Sequence, residues 1–283
     1  MQDEIQQPLP ICFQPPTANR QPPTAPARAG PTEMPLKVSI ITATFNSAAT
    51  VAETMRSVEE QDYAPIEHIV VDGHSQDNTL NIVQRYPHTS TVITEKDDGI
   101  YDAMNKGIRA ATGDIIGILN SDDVYAHSGV ISKVVRAFED PGVQACYADL
   151  QYMDHMNTSR ITRTWKSGNY QMGSFYWGWM PPHPTFFVRK SVYEKVGLFE
   201  TSLRSAADYE MMLRILVKHN LPAAYIPQVI VKMRTGGMSN ASVRNRIRAN
   251  REDRKAWRIN GLKPYFFTLY LKPLRKITQF LKK

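Results

Sequence analysis

The sequence is short of cysteine. Its 283 residues include only Cys12 and Cys146, which are far apart and not in a C-x-x-C spacing. That excludes a disulfide scaffold and a cysteine-based zinc site, and it fits a reducing compartment. Long hydrophobic runs are also missing, since no apolar stretch approaches the roughly 18 residues that span a bilayer. The opening residues, MQDEIQQPLPICF, lack a basic flank followed by an apolar core, so no secretory signal is expected. There is no internal repeat. Acidic residues are scarce towards the end. From Arg244 to Lys283, thirteen Lys or Arg face only Glu252 and Asp253, so this segment carries +11 in a chain of net charge +7, and the body is mildly acidic at −4. A basic segment on an acidic body suggests a polyanionic partner.

What is present is the makeup of a globular protein, 42% hydrophobic and 22% charged, long enough for a sizeable core. Residues 1–35 hold nine prolines and little apolar periodicity, and are read as a disordered tail. Order is expected from Leu36. The runs KVSIITATF, IEHIVVD, TVIT and DIIGIL read as strands. They alternate with helical patterns starting near Ser47, at SQDNTLNIVQRY, at GIYDAMNKGIRAA and near His127. The alternation implies an α/β doubly wound, mostly parallel sheet, in which ligands bind at the carboxyl ends of strands. Asn46, Asp72 and Asp122 fall at or just beyond such ends. Beyond Val143 two pairing strands, an aromatic Pro-rich stretch, a helix over 206–220, a further strand region and a long basic helix are expected.

The run IIGILNSDDVY raises a specific question. Two adjacent carboxylates repel and resist desolvation. Asp122 and Asp123 therefore either hold a cation or end the strand in water and cap the following helix.

VSIITATFN, HIVVDGHSQDNT, EKDDGIYDAMNKGIRAATGDIIGILNSDDVY, PTFFVRKSVYEKVGLFE and SAADYEMMLRIL, in this order and spacing, resemble family 2 glycosyltransferases over roughly residues 36–240. These are inverting enzymes of the GT-A, Rossmann-like fold that use nucleotide-diphosphate sugars. The resemblance is to the bacterial enzymes of lipopolysaccharide and exopolysaccharide assembly. It implies a nucleotide-sugar-binding half over 36–142, an acceptor-binding and catalytic half over 143–238, and a basic helical extension over 239–283. It also implies a hexosyl transfer from a donor, UDP-linked, to a glycan or lipid-linked acceptor, with Mg²⁺ or Mn²⁺.

The same resemblance assigns roles residue by residue. NSDD matches a motif usually written D-x-D-D, with Asn120 in place of the first acid. The cation would rest chiefly on Asp122, with Asp123 as helper, and Asn120 and Ser121 would touch the donor. Thr42, Ala43 (often Pro in the family) and Asn46 would line the nucleotide site, and Asp72 would meet the base. Asp102, Asn105 and Lys106 are further donor-side candidates, Met104 standing where relatives often carry Arg; Asp98 and Asp102 otherwise serve only a helix N-terminus. Asp208 aligns with the catalytic base, alone because Ala207 replaces its usual acidic neighbour, and Glu210 is the fallback. Trp177, Trp179 and His183 are acceptor-side candidates or core. Arg234, opening RTGGMSNAS, is either a diphosphate clamp on a mobile loop or part of an ordinary turn.

In the tail, Phe267, Leu271, Leu274, Ile277 and Leu281 form a helical stripe among basic residues, with Pro273 expected to break it in two. Residues 263–283 would lie on an anionic membrane, pack on the domain or bury the stripe in a homodimer. No nucleic-acid-reading module accompanies the basic helix, so nucleic acid is not an expected partner. The chain is thus expected to be cytoplasmic and peripheral on the inner face of the plasma membrane. Two alternatives remain. A sugar nucleotidyltransferase would need a Gly-rich basic loop after the first strand, which TATFNSAAT lacks. A silent scaffold in a glycan-assembly complex would have no chemical need of Asp122 and Asp208.

Overall fold

A computed structural model provides the fold and describes residues 34–236 and 243–281. The expected disordered tail lies outside the described residues except at its end. Residues 35–283 form one compact unit.

The first half alternates as expected: β1 (Val38–Thr44), α1 (Val51–Glu59), β2 (Ile66–Asp72), α2 (Thr79–Val83), β3 (Thr89–Thr94), α3 (Ile100–Ala110), β4 (Ile115–Ile118), β5 (Val124–Tyr125) and α4 (Val130–Phe138). The second half contains β6 (Ala145–Met153), β7 (Ile161–Trp165), β8 (Phe187–Arg189), α5 (Lys190–Val196), α6 (Ala207–Leu213), β9 (Ala223–Arg234), α7 (Val243–Ile259) and α8 (Thr268–Leu281). Short 3-10 turns cover Ser174–Trp177 and His183–Thr185, and a π turn over Arg214–Lys218 extends α6.

All strands join one sheet in the order β3-β2-β1-β4-β8-β6-β9-β5, with β7 added to β6. The pairs β3-β2, β2-β1, β1-β4 and β6-β9 are parallel, and β8 runs antiparallel between β4 and β6. Helices cover both faces, which is why β1 and β4 read as unbroken apolar runs rather than as alternations. Ile41, Ala43, Ile69, Val71, Ile116 and Ile118 enter one core cluster, while Val38, Ile40 and Ile115 enter the cluster on the other face. Helix α3 lies so close to β1 that a Cβ on Gly107 would come within 2.4 Å of Ile41.

Three local expectations are corrected. Ser47 does not cap α1 with its side chain. Its carbonyl accepts from Thr50 and Val51, and its hydroxyl turns to Ser121. The helix after NSDD does not start near His127, because β5 intervenes and pairs with β9, and α4 begins only at Val130. Pro273 does not split the tail helix. It sits in the second turn of α8, where one N–H is lost and the helix continues.

One buried carboxylate ties the parallel strands together at their entry ends. Glu67 on β2 accepts from Lys37 Nζ (2.9 Å), Ser39 Oγ (2.6 Å), Thr112 N (2.8 Å) and Thr112 Oγ1 (2.7 Å). Burial alone would raise its pKa, but these donors outweigh burial and bring it to about 2. The folded state therefore gains stability from Glu67 above its ordinary pKa and loses it as pH falls towards 2. Glu67→Gln should lower unfolding free energy by about 2 kcal/mol at pH 7. The deficit should shrink in urea titrations at pH 3, and an equal deficit at both pH values would refute the linkage.

Candidate active site

Three strand exits converge through their loops. Asn46, exposed and in the left-handed region (φ 49°), follows β1; its Oδ1 accepts from Gln76 N (2.8 Å) and its N–H donates to Ser75 Oγ (2.8 Å). Asp77 accepts from Ala48 N (3.0 Å) and Thr79 N (3.0 Å). The exits of β1 and β2 are thus stitched together before any ligand arrives. Asp72 is fully buried and accepts from Thr44 Oγ1 (2.9 Å), Ser75 N (2.9 Å) and Ser75 Oγ. Its carboxylate builds this loop. Thr42 is likewise buried, its hydroxyl against His68 Nε2 (3.0 Å), and Ala43 lies in the core. At these two positions only the backbone remains for a ligand.

The NSDD turn follows β4. Ser121 is nearly buried with its hydroxyl 2.8 Å from that of Ser47, and Thr54 Oγ1 on α1 donates to the Asp123 carbonyl (2.8 Å). Asp122 is half-buried, whereas the Asp123 residue is 1% exposed. Asn120 Nδ2 reaches Asp123 Oδ2 at 3.4 Å, while Asp123 Oδ1 and Asn120 Oδ1 are buried and have no hydrogen-bond partner. Burial, then the charge of Asp122, raises the Asp123 pKa to about 8. The pair does not cap α4, and it is not a turn solvated in water. An orphaned buried carboxylate oxygen beside a second carboxylate fits a hard divalent cation that takes the rest of its ligands from phosphate and water. Among the described residues no cluster of three His, Cys, Asp or Glu could hold a metal by itself.

Across from this turn lies Asp208, in the first turn of α6. Its Oδ2 is 3.1 Å from His183 Nδ1, and its Oδ1 accepts from Tyr101 on α3 (3.1 Å). Burial would raise the Asp208 pKa, but the charge and hydrogen bond of His183, helped by Lys272, hold it well below the usual range. Burial lowers the His183 pKa, and Asp208 first, then Asp123 and Asp122, more than restore it. His183 therefore feels the carboxylates of both centres.

The residues of this site come from both halves of the chain, and comparison with known proteins gives them a context. Residues 39–197 match the family model described as Glycosyl transferase family 2.

The chain belongs to glycosyltransferase family 2.

An uncharacterized glycosyltransferase of Mycobacterium tuberculosis (strain CDC 1551 / Oshkosh) is 32% identical over 180 residues, 62% of this chain and 68% of that one. A PGL/p-HBAD biosynthesis glycosyltransferase of Mycobacterium bovis (strain BCG / Pasteur 1173P2) is 28% identical over 210 residues, 72% of this chain and 80% of that one. Two solved structures share the fold. S. aureus TarS 1-349 in complex with UDP-GlcNAc has a TM-score of 0.59 at 18% identity and covers 80% of this chain and 65% of that one. The mannosyltransferase PcManGT from Pyrobaculum calidifontis in complex with GDP-Man and Mn²⁺ has a TM-score of 0.60 at 23% identity and covers 83% and 68%. The fold is GT-A, and the protein is a transferase.

Several residues that the family resemblance singled out have structural partners in this member. Both amide groups of Asn105 are engaged by the backbone of Phe199, at 2.9 Å each, which fastens α3 to the loop before α6. Lys106 gathers Asp97 (2.9 Å), Glu95 (3.1 Å) and Asp102 (3.3 Å), and so orders the segment after β3. Trp179 is core, donating to the Ser167 carbonyl (2.8 Å) among Tyr147, Tyr170 and Phe175. Trp177 is exposed and packs on Phe267 and Tyr265. Arg234 is buried at the end of β9, ion-paired with Glu53 on α1 and 3.5 Å from the His155 carbonyl; residues 237–242 of the supposed mobile loop lie outside the described residues. Tyr101 and Glu53 were missed. Tyr101 left a signal, an aromatic in the first turn of a helix that starts at a strand exit, but nothing in the sequence marks its partner.

Glu210, the fallback base, is fully buried in a two-pronged contact with Arg214 and accepts from Asn260 Nδ2 (3.0 Å). Glu210→Ala would strand the Arg214 charge and should cost about 3–5 kcal/mol of stability. Thermal unfolding should show that loss, with the turnover of the remaining folded fraction kept. A variant of native stability with abolished turnover would return Glu210 to the chemistry.

Proposed function

We propose that the protein transfers a hexosyl group from a nucleotide-diphosphate sugar, UDP-linked, to a hydroxyl of a glycan or lipid-linked saccharide, with inversion at the anomeric carbon. The carrying observation is the presence of two carboxylate centres, the Asp122–Asp123 turn after β4 with its buried unpartnered oxygen and the hydrogen-bonded Asp208–His183–Tyr101 cluster at the head of α6. One is suited to a diphosphate with its cation and the other to an acceptor hydroxyl. UDP-GlcNAc in TarS supports the choice of nucleotide, and the PGL/p-HBAD biosynthesis name of the mycobacterial relative supports a glycolipid acceptor.

In this reading Asp208 accepts the proton of the acceptor hydroxyl as the new glycosidic bond forms. The anomeric carbon–oxygen bond breaks, and its electron pair leaves with the nucleoside diphosphate. His183 keeps Asp208 ionised, and Tyr101 fixes its free oxygen. Asp122 and Asp123 would hold Mg²⁺ or Mn²⁺, which when bound neutralises the charge that grows on the departing phosphate. Asn46 and the backbone of residues 42–44 would border the nucleotide.

Asp208→Asn should leave thermal stabilisation by UDP with Mn²⁺ unchanged and reduce sugar transfer by about 10³-fold; loss of stabilisation instead would remove Asp208 from the role of base. Asp122→Ala should weaken Mn²⁺ binding, read as free Mn²⁺ by electron paramagnetic resonance, and full transfer activity in that variant would refute the cation assignment. His183→Ala takes away the charge that depresses the Asp208 pKa. The acidic limb of its kcat/KM profile should move to higher pH, and an unmoved limb would disconnect His183 from the base. A panel of nucleotide sugars, scored by thermal stabilisation with and without Mn²⁺, identifies the donor.

A further inference from the structure

Exposed large apolar side chains gather on one patch that the transfer chemistry does not use. Trp177 is 57% exposed, Tyr265 52%, Phe266 87%, Tyr270 59% and Leu274 54%. Phe266, Tyr270 and Leu274 follow one another at four-residue spacing, so they lie along one side of the helix entrance and α8. Of the stripe read from the sequence, Leu274 belongs to this patch. Phe267 and Leu271 of that stripe are half-buried, Phe267 packing on Trp177 and Tyr265, and the side chains of Ile277 and Leu281 lie outside the described residues.

The patch is held rigidly. Thr268 Oγ1 donates to the Tyr176 carbonyl (2.7 Å), and Arg275 Nη1 reaches the Trp177 carbonyl (3.3 Å). Gly178 (φ 74°) lets the α8 backbone approach so closely that a Cβ there would meet Lys272 N at 2.6 Å. Lys272 is clamped by both oxygens of Asp253 (2.8 Å each) above the Tyr209 ring. No ordering of a free tail is needed before the patch can be used.

Charge decides the occupant. The two acids of the basic segment face inward, Glu252 to the Ser205 N–H and hydroxyl (2.7 Å each) and Asp253 to Lys272. Among the described residues of that segment, Arg251, Arg254, Arg258, Lys263 and Arg275 are exposed. In a symmetric dimer an isologous patch meets itself, so Lys263 and Arg275 would be brought towards like charges. An anionic lipid surface instead offers headgroups to the cations and an interfacial layer to Trp, Tyr and Phe. Among the described residues no helix is long and apolar enough to cross a membrane, so the contact is with a surface.

We propose that Trp177, Tyr265, Phe266, Tyr270 and Leu274, flanked by Lys263 and Arg275, form a preformed docking face for an anionic bilayer. Trp177 stands six residues before His183 on the same segment, so docking sets the acceptor side of the site at a fixed distance from the lipid surface. That last clause rests on the proposed transfer function, whereas the lipid contact does not.

The test is vesicle co-sedimentation of the full chain without donor. Vesicles of equal parts phosphatidylglycerol and phosphatidylcholine should bind it, pure phosphatidylcholine should not, and added salt should weaken binding. The double variant Phe266→Glu, Tyr270→Glu should bind about tenfold less, with unfolding temperature and stabilisation by UDP with Mn²⁺ unchanged. Leu274→Glu is the second variant should the double one fail to fold. Undiminished binding by folded variants overturns the proposal. So does a wild-type dimer, seen by light scattering, that the variants convert to monomer, because the patch would then be a protein interface. Intact vesicle binding with no sugar transfer from any donor would count against the transfer reading alone.

Discussion

A carboxylate buried at the end of a parallel strand must find donors or a cation if it is to stay charged, because burial otherwise raises its pKa until it is protonated. The sheet contains contrasting solutions to this constraint. Glu67 is surrounded by donors from Lys37, Ser39 and Thr112, and Asp72 takes its donors from Thr44 and Ser75. Asp123 is as deeply buried but has one long side-chain bond, from Asn120, and an oxygen without a partner. The nearest ring of structure is arranged around the turn's backbone and neighbours instead. Ser47 meets Ser121, Thr54 meets the Asp123 carbonyl, and Arg234 is turned to Glu53. A carboxyl whose pKa burial raises to about 8 while its surroundings are well bonded marks where an external cation would favour the charged form.

The strands and helices were legible because each follows a period that burial imposes. β1 and β4 read as unbroken apolar runs, since the sheet is covered on both faces, and α4 reads as amphipathic. The NSDD turn was legible as a strand end. Its burial was not, because that depends on β9 passing over it from more than a hundred residues away. The direction of single side chains was the least legible. Asp72 and Asn105 have the right chemistry to bind a nucleotide, yet their partners are Ser75 and Phe199. Residue type specifies what a group can bond, and only packing decides whether the bond is internal. The same holds for the aromatic stretch: Trp179 and Trp177 are two residues apart, and one is core while the other faces out.

On the proposed reading, Asp208 is a base that remains available without being strongly basic. Its environment favours the charged form through His183 and Lys272, so the carboxylate stays ionised in a half-buried place where burial alone would raise its pKa. A depressed pKa also makes it a poor proton acceptor towards an ordinary alcohol. In an oxocarbenium-like displacement the acceptor hydroxyl becomes acidic only as its oxygen bonds to the anomeric carbon. A weak base then suffices, and it takes the proton late, after the new bond has begun to form. On the proposed reading, the ion pair with His183 trades ground-state basicity for constant readiness. The hydrogen bond from Tyr101 keeps the second oxygen from turning away, so the proton would be received at a fixed position.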